Sequence, residues 1–229
     1  MKSTQQEQHL KFAVIATDVS LFTLKEGKLY VRLMRVDRPP SYDGVPGLPG
    51  GLIQPDETAE QAVKRILLQK GLVRPSIAHI EQLYTFSAID RDPRGRVVSV
   101  AYSAYVPWSK LSSDEQRDTD LVWWSPATKK QTLAYDHTHI LATALDRLKT
   151  RIRYTSLIQY LLPISFTLTQ LEAFYEVILS TTIDKRNFRK KFEKLQLLKD
   201  TGKSTQGDKH RPAKLYQFKS TTLTNIEIL

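Results

Sequence analysis

The stretch LPGGLIQPDETAEQAVKRILLQKGL, residues 48–72, is the segment that decides the fold class of this chain. A Pro/Gly-rich loop leads into a segment in which Thr58 can cap a helix, and Ala62 and Ile66 follow at helical spacing. We therefore predict a helix over residues 58–70. The preceding loop, residues 38–51, contains so many prolines and glycines that we predict no regular structure for it.

On both sides of this segment, β-branched and aromatic residues predict strands. Glu26, Gly27 and Lys28 form a turn signal, so the first two strands are expected to pair as a hairpin. A further helix over 136–153 carries apolar residues on one face. The N-terminal unit is therefore α+β, with strands flanking helices. The predicted strands cover residues 11–24, 29–36, 77–90, 96–106 and 121–124.

The C-terminal part has a different organisation. Residues 168–180 form an amphipathic pattern, and Asp184 can cap a second helix over 185–198. A polar turn and the strand-like KLYQF, residues 214–218, come next. Helix, short turn, helix and β-hairpin follow one another in the order of a winged helix-turn-helix.

Composition excludes several classes of protein. The chain has 229 residues, of which 41% are hydrophobic and 25% charged, as in globular proteins rather than disordered ones. It has no cysteine, which excludes disulfide scaffolds, zinc ribbons and thiol nucleophiles. No apolar run is long enough to span a membrane, and the first residues lack the apolar core of a secretion signal. We expect a cytoplasmic protein that makes no contact with a membrane.

The positive charge is concentrated near the C-terminus. The net charge is +10, and residues 185–219 alone hold 12 basic and 3 acidic residues. Such clustering favours a polyanionic partner, although a solvated lysine-rich surface is the simpler alternative.

The second helix of the C-terminal unit separates by angle into two faces. Phe188, Phe192 and Leu195 fall together and are expected to face the core, while basic and amide side chains fall opposite. Arginine, lysine and asparagine hydrogen-bond phosphates and base edges, so we predict that this helix binds double-stranded DNA and that the basic hairpin supports it. The predicted DNA contacts are Lys185, Arg186, Asn187, Arg189, Lys190 and Lys194 on the helix, and Lys203, Lys209, Arg211 and Lys214 on the hairpin.

Residues 48–72 resemble the Nudix box, Gly-x5-Glu-x7-Arg-Glu-Uaa-x-Glu-Glu-x-Gly-Uaa, in which Uaa is a bulky aliphatic residue. Gly51, Glu57 and Arg65 match the box at the correct spacing. Ile66 replaces the first helical glutamate, and Gln69 and Lys70 replace the metal-binding pair. The following glycine also arrives one residue early, which shortens the end of the helix.

These replacements bear directly on catalysis. Hydrolysis of a pyrophosphate needs Mg²⁺, which prefers carboxylate and phosphate oxygens in octahedral geometry. Lys70 would repel a divalent cation, although it can contact a phosphate itself, and Glu57 and Glu60 alone make a poor two-metal site. We therefore predict no catalytic residue, no bound metal and no cofactor.

The whole chain is similar to the NrtR-like family of Nudix-related transcriptional regulators, over about residues 12–219. The similarity includes residues 86–107, FSAIDRDPRGRVVSVAYSAYVP, together with 135–154, 161–202 and 211–219. It implies a Nudix-like α/β/α sandwich with a mixed sheet in residues 1–155 and a winged-helix DNA-binding domain in residues 156–229.

The resemblance also implies a function. Members of the family are homodimeric repressors or activators in which a small effector bound to the Nudix-like domain changes the affinity for operator DNA. ADP-ribose and genes of NAD biosynthesis are implied for NrtR itself, whereas relatives bind sugars and control sugar-use genes.

The turn RDPRGR, residues 91–96, borders the effector region in the family. Arg91 and Arg94 present planar donors suited to phosphate or carboxylate, and Arg38 is a second choice. Alternatively, Asp90 and Asp92 pair with these arginines and fix the hairpin, or the turn forms a dimer contact. The complete set of predicted effector-binding residues is Arg38, Gly51, Glu57, Arg91, Asp92, Arg94 and His137.

Aromatic and histidine residues offer weaker signals. Phe86, Tyr102 and Trp124 can stack on a base or a sugar, but aromatic residues at strand spacing are more commonly part of a core. His137 and His139 point apart at the start of a helix, so they are not expected to hold a metal together. Asp136 is expected to be the N-cap of that helix.

Two other functions fit parts of the sequence. The chain can be a Nudix hydrolase of ADP-ribose or a related nucleoside diphosphate, if carboxylates from outside the box complete a metal site. It can also be an adaptor that binds RNA or protein. Loss of the box glutamates beside an intact basic helix favours the regulator.

Overall fold

The computed structural model describes residues 12–205, 212–226 and 228. The strands are β1 (Val14–Lys25), β2 (Lys28–Arg38), β3 (Tyr42–Gly47), β4 (Gly50–Leu52), β5 (His79–Phe86), β6 (Val97–Tyr105), β7 (Val122–Pro126), β8 (Leu198–Ser204) and β9 (Lys214–Phe218). The α-helices are α1 (Ala59–Gln69), α2 (Ser113–Gln116), α3 (His137–Tyr154), α4 (Leu168–Leu179) and α5 (Lys185–Leu195). No helix in this part of the chain is both long and apolar enough to cross a bilayer.

The first seven strands form one mixed sheet. Its main order is β3-β2-β1-β6-β5, with β4 paired to β1 and β7 paired to β2; β1 and β6 run parallel. Successive residues of β1 point to opposite faces, so Leu21 packs with α1 and Phe22 packs with α3. The sheet is therefore covered by a helix on each side, which confirms the predicted α/β/α sandwich.

The Pro/Gly-rich segment 38–51 is more regular than its composition indicated. Instead of an irregular loop, it contains β3 and the start of β4. Pro46 pairs with Arg35 on β2, and β3 is an edge strand, so the missing N–H of proline leaves no ladder bond unmade in the sheet interior. The prediction of no regular structure was wrong for this segment.

Helix α1 begins as its sequence predicts. The Thr58 hydroxyl accepts from the backbone N–H of Gln61, and the Gln61 side chain accepts from the backbone N–H of Thr58. Ala62, Val63, Ile66 and Leu67 are buried against the sheet. Because Ile66 faces the core, it packs the sandwich and offers no polar group to a ligand.

The C-terminal unit consists of α4, α5 and the β8–β9 hairpin, the order of a winged helix. Asp184 accepts from the backbone N–H of Asn187 and caps α5, as predicted. Phe188 and Phe192 are buried and contact the ring of Tyr175. Helix α5 ends at Leu195 rather than at residue 198, because Gln196 adopts a left-handed backbone with φ of 53° and the wing strand starts two residues later.

Helix α3 connects the two units. Its apolar residues belong to the same hydrophobic cluster as the apolar residues of α4 and α5. At its C-terminal end, the buried hydroxyl of Tyr175 on α4 donates to the carbonyl of Ile152 over 3.2 Å. Helix α3 thus packs on the sheet along one side and contacts the winged helix at its far end. The boundary between residues 155 and 156 stays a prediction.

Candidate effector cavity and nucleic-acid interface

A cavity of about 270 Å³ opens where β1, β2, β4, the 91–94 turn and the start of α3 meet. Its wall contains most of the predicted effector residues, which come from four distant parts of the sequence. Those that line it are Arg38, Gly51, Arg91, Asp92, Arg94 and His137.

Asp18 on β1 is the central acidic group of the cavity. Its side chain is 7% exposed and accepts hydrogen bonds from the Ser99 hydroxyl over 2.6 Å and from Nη2 of Arg91 over 3.1 Å. Nε2 of His137 lies 3.2 Å from its other oxygen. Burial raises the pKa of Asp18, but His137, Ser99 and Arg91 together lower it to about 2. The carboxylate is therefore ionised and fully engaged by protein groups.

His137 lies in the first turn of α3 and is held from both sides. The backbone N–H of Leu48 donates to Nδ1 over 3.0 Å, so this nitrogen carries no proton and Nε2 donates towards Asp18. A Cβ at Gly50 would lie 1.9 Å from Oδ1 of Asp18. Only glycine therefore allows the loop to pass this close to the buried carboxylate.

Arg91 has structural partners rather than a free guanidinium. Its side chain is 3% exposed and forms two hydrogen bonds with Asp136, over 2.9 and 2.6 Å, as well as the bond to Asp18. The alternative in which Asp90 or Asp92 pairs with this arginine does not hold, because its partners are Asp136 and Asp18. Asp136 is the N-cap residue of α3, as predicted, but its carboxylate binds Arg91 and makes no capping hydrogen bond.

Arg94 and Arg38 are more accessible. Arg94 pairs with Asp92 over 2.9 and 2.7 Å, lies over the ring of Tyr135 at 5.5 Å and is half exposed. Arg38 is exposed and donates to the backbone carbonyl of Asp37 over 2.8 Å. Both guanidinium groups therefore keep donors that a ligand can reach.

Lys70 projects from the end of α1 into the same cavity. Its Nζ donates to the backbone carbonyl of Gly50. Burial, followed by the positive charge of Arg38, lowers the pKa of Lys70 below its usual value. Lys70 is able to contact phosphate, as its sequence position indicated, but it was not among the predicted effector residues.

Glu57 lies outside the cavity, contrary to its inclusion in the effector set. Its carboxylate binds Arg65 and accepts from the backbone N–H of Gln54 over 2.8 Å. This pair fixes the loop to α1. The box residues Glu57 and Arg65 therefore have a structural explanation that does not require catalysis.

The residues present do not fit a divalent metal. Ile66 is buried, Gln69 is a neutral amide and Lys70 is a cation at the positions where the Nudix box has glutamates. In the described ranges, no group of three His, Asp or Glu side chains is arranged to hold a metal ion. These three positions therefore offer Mg²⁺ no carboxylate ligand.

The aromatic candidates are core residues. Phe86, Tyr102 and Trp124 are between 3% and 6% exposed, and none of them lines the cavity. His139 is exposed, and its ring lies 5.4 Å from the ring of Phe86, nearly perpendicular to it. Tyr135, which was not among the predicted residues, contributes its phenol ring to the cavity wall.

The nucleic-acid interface predicted on α5 is exposed over most of its length. All six predicted side chains on its outer face are exposed: Lys185, Arg186, Asn187, Arg189, Lys190 and Lys194. Arg189 is engaged differently: its Nε lies 2.6 Å from Oε1 of Glu172 on α4, a carboxylate only 2% exposed. Arg189 therefore stabilises the contact between the two helices, a role that the sequence did not indicate.

The hairpin contributes fewer visible groups. Lys203 is exposed on β8, and Lys214 on β9 pairs with Asp200 over 3.0 Å. Lys209 and Arg211 lie outside the described residues. Within the described residues, the basic surface of the winged helix is thus formed mainly by α5.

The fold and these two surfaces define a class: a Nudix-type domain with a cationic cavity, joined to a winged helix with a basic exposed face. Residues 15–143 match the model of the NUDIX domain, and residues 158–218 match that of the NrtR DNA-binding winged helix domain. The chain belongs to the NrtR family of Nudix-related transcriptional regulators.

Individual relatives agree with this assignment. The chain is 32% identical over 209 residues to the ADPR responsive transcriptional repressor NtrR of Acinetobacter baylyi, covering 90% of this chain and 82% of the relative. It is similar to Shewanella oneidensis NrtR complexed with a 27mer DNA, with 35% identity, a TM-score of 0.79 and coverage of 90% and 93%. The NUDIX domain of the same protein complexed with ADP ribose matches with 32% identity, a TM-score of 0.52 and coverage of 63% and 94%.

Proposed function

We propose that this protein is a transcriptional repressor in which ADP-ribose binds the Nudix-like domain and changes the affinity of the winged helix for operator DNA. One observation carries the proposal: α3 starts in the wall of a cationic cavity, at His137, and its other end contacts α4 through Tyr175 and Ile152. The relatives that bind DNA and ADP-ribose supply the chemical identity of both ligands.

The DNA-binding residues in this proposal are the members of the α5 set that form no ion pair within the described part of the chain, namely Lys185, Arg186, Asn187, Lys190 and Lys194. Lysine and arginine neutralise phosphates and release counterions, and Asn187 can reach base edges. Arg189 is assigned to the helix pair with Glu172 instead of to DNA. The target genes we propose are those of NAD metabolism, and the protein then acts in the cytoplasm, where the chromosome lies.

The Nudix-like domain is proposed to be a sensor and not a hydrolase. The support is the chemistry of Ile66, Gln69 and Lys70, which offer no carboxylate to a metal. The effector residues we retain are Arg38, Gly51, Asp92, Arg94 and His137. Arg91, which is paired with Asp18 and Asp136, supports them.

We also propose a homodimer. Phe12, Val14, Ile15 and Leu52 are exposed apolar side chains at or near the start of β1 and on its paired strand β4. Exposed apolar side chains gathered in one region favour an interface between chains. A dimer would present two winged helices, as a two-fold symmetric operator requires.

The test is a DNA-binding titration with effector. Duplexes selected from fragments of the source genome would be labelled and titrated with protein by fluorescence anisotropy, with and without ADP-ribose. We expect tight, sequence-specific binding that ADP-ribose changes at least about tenfold, the usual range of allosteric coupling. Release of AMP and ribose phosphate with Mg²⁺, together with absence of specific DNA binding, would overturn the proposal in favour of a hydrolase.

A further inference from the structure

The cavity is lined by more positively than negatively charged side chains, and the excess positive charge lies on two of them. Five cationic and three acidic side chains line it. Asp37 pairs with Arg35, Asp18 with Arg91, and Asp92 with Arg94. Among the described residues, the two lining cations that form no ion pair are Lys70 and Arg38.

Lys70 is packed into the wall and is not a free surface lysine. Its Nζ donates to the Gly50 carbonyl, and a Cβ at Gly51 would lie 3.1 Å from it, so the loop backbone passes directly beside the amine. An ammonium that loses water without gaining a carboxylate partner raises the free energy of the folded state. A bound anion would offset that cost.

The position of Lys70 in the fold corresponds to that of a metal ligand in the Nudix box. Lys70 is the C-cap residue of α1, at the end of the helix where the Nudix box supplies carboxylates to metal ions. In such a site the metals neutralise the negative charge of a diphosphate. Here a lysine amine, a compact cation with three donors, is fixed in the same cavity.

We propose that Lys70 and Arg38 form a diphosphate subsite in which the lysine ammonium replaces a divalent cation, so that the effector binds without metal. The subsite rests on the proposed function only for the identity of the effector, because ADP-ribose carries a diphosphate. Gly51 leaves the space through which the phosphate oxygens reach Nζ. Arg38, at the exposed rim, supplies a planar donor pair to the same group.

The experiment measures binding of two probes, ADP-ribose and inorganic pyrophosphate, by isothermal titration calorimetry. Each probe is titrated into the full chain with excess Mg²⁺ and with excess EDTA. We expect the dissociation constant of the wild-type protein for ADP-ribose to agree within about twofold between the two conditions. Loss of a charge-assisted contact costs roughly ten- to hundredfold in affinity, so Lys70→Gln should weaken both probes by that factor.

Three further variants make the result specific. Lys70→Glu should weaken binding more than Lys70→Gln, because it repels the anion. Arg38→Gln, which changes an exposed side chain, should weaken binding about tenfold. Lys64→Gln is the matched control, since Lys64 is an exposed lysine on the same helix and does not line the cavity. Thermal unfolding and DNA affinity of each variant report on the fold.

The outcomes separate this inference from the proposed function. Binding that requires Mg²⁺, or folded Lys70→Gln and Arg38→Gln proteins that bind as the wild type does, overturns the subsite and leaves the repressor proposal intact. If ADP-ribose does not bind but pyrophosphate binds without metal in a Lys70-dependent way, the subsite stands and ADP-ribose is not the effector. If neither probe binds, the diphosphate subsite and the assignment of ADP-ribose as the effector are both wrong.

Discussion

His137 and Asp18 join the first turn of α3 to the middle of β1, with Nε2 of the imidazole 3.2 Å from Oδ1 of the carboxylate. The same imidazole accepts from the backbone N–H of Leu48 in the loop that forms the cavity wall. A ligand that moves this loop therefore acts directly on the start of α3. An effector changes DNA affinity only if it favours one arrangement of these elements over another.

Arg94→Ala should weaken the effector response and spare DNA binding. Arg94 is half exposed in the cavity wall, and its partner Asp92 stays anchored by the turn. We expect the dissociation constant for ADP-ribose to rise about tenfold or more, with unliganded DNA affinity unchanged. Lys130→Ala, an exposed lysine away from the cavity, is the control. Equal loss of both activities would show that the turn is structural.

Asp18 should make stability depend on acid pH. Its pKa in the folded protein is about 2, below the ordinary value of 3.8, so the unfolded chain binds the proton more tightly. The stabilisation is present above the ordinary value and is lost as the pH falls towards 2. The difference corresponds to about 2 kcal/mol.

Urea unfolding at pH 7 and pH 3 tests this prediction. The wild-type free energy of unfolding should fall between these pH values, and Asp18→Asn should be less stable at pH 7 and lose less on acidification. The matched control is Asp146→Asn, which changes an exposed carboxylate on α3. An unchanged pH dependence in Asp18→Asn would contradict the assignment.

Arg189→Ala should destabilise the winged helix. Without the guanidinium, the carboxylate of Glu172 is buried with no charged partner, which costs roughly 2 kcal/mol. Adding Glu172→Gln should recover much of that loss, because the buried charge disappears as well. Chemical denaturation of the single and double variants measures the recovery, and a simple additive loss would mean that the pair is unimportant.

Lys190→Ala, in contrast, should weaken DNA binding without lowering stability. Lys190 is exposed on the outer face of α5, so its loss should leave the thermal unfolding midpoint unchanged and weaken DNA binding. The slope of log K against log salt should fall by about 0.9 if Lys190 neutralises one phosphate. An anisotropy titration at several salt concentrations gives the slope, and Lys64→Ala is the control whose slope should stay as in the wild type.

The helices were predicted well from the sequence because the residues that cap them and form their buried faces lie within a few positions of one another. Thr58 and Asp184 cap α1 and α5 through bonds to residues three positions away, and the apolar spacing of Phe188 and Phe192 gives the buried face directly. The segment containing Pro46 was mispredicted because its structure depends on a partner outside the segment. Its partner, Arg35 on β2, is what makes it a strand, and composition alone does not reveal an edge position in a sheet.

The same limit applies to the candidate site. The sequence placed Arg91, Arg94 and His137 near the effector, but the partner of Arg91 is Asp136, 45 positions along the chain. A helical wheel assigned Arg189 to the outer face correctly and could not show Glu172 on the neighbouring helix. Asp18 was missed, although an isolated carboxylate within an apolar strand was a usable signal.

Gly50 has a consequence for anyone who sorts proteins by motif. A Cβ at this position would lie 1.9 Å from Oδ1 of Asp18. Any residue other than glycine would therefore collide with that buried carboxylate. The requirement is steric, and it persists whether or not the chain turns over a substrate. A genome survey that selects chains by this loop alone would therefore not separate those that keep glutamates at the end of the following helix from those that, like this chain, carry Gln69 and Lys70 there.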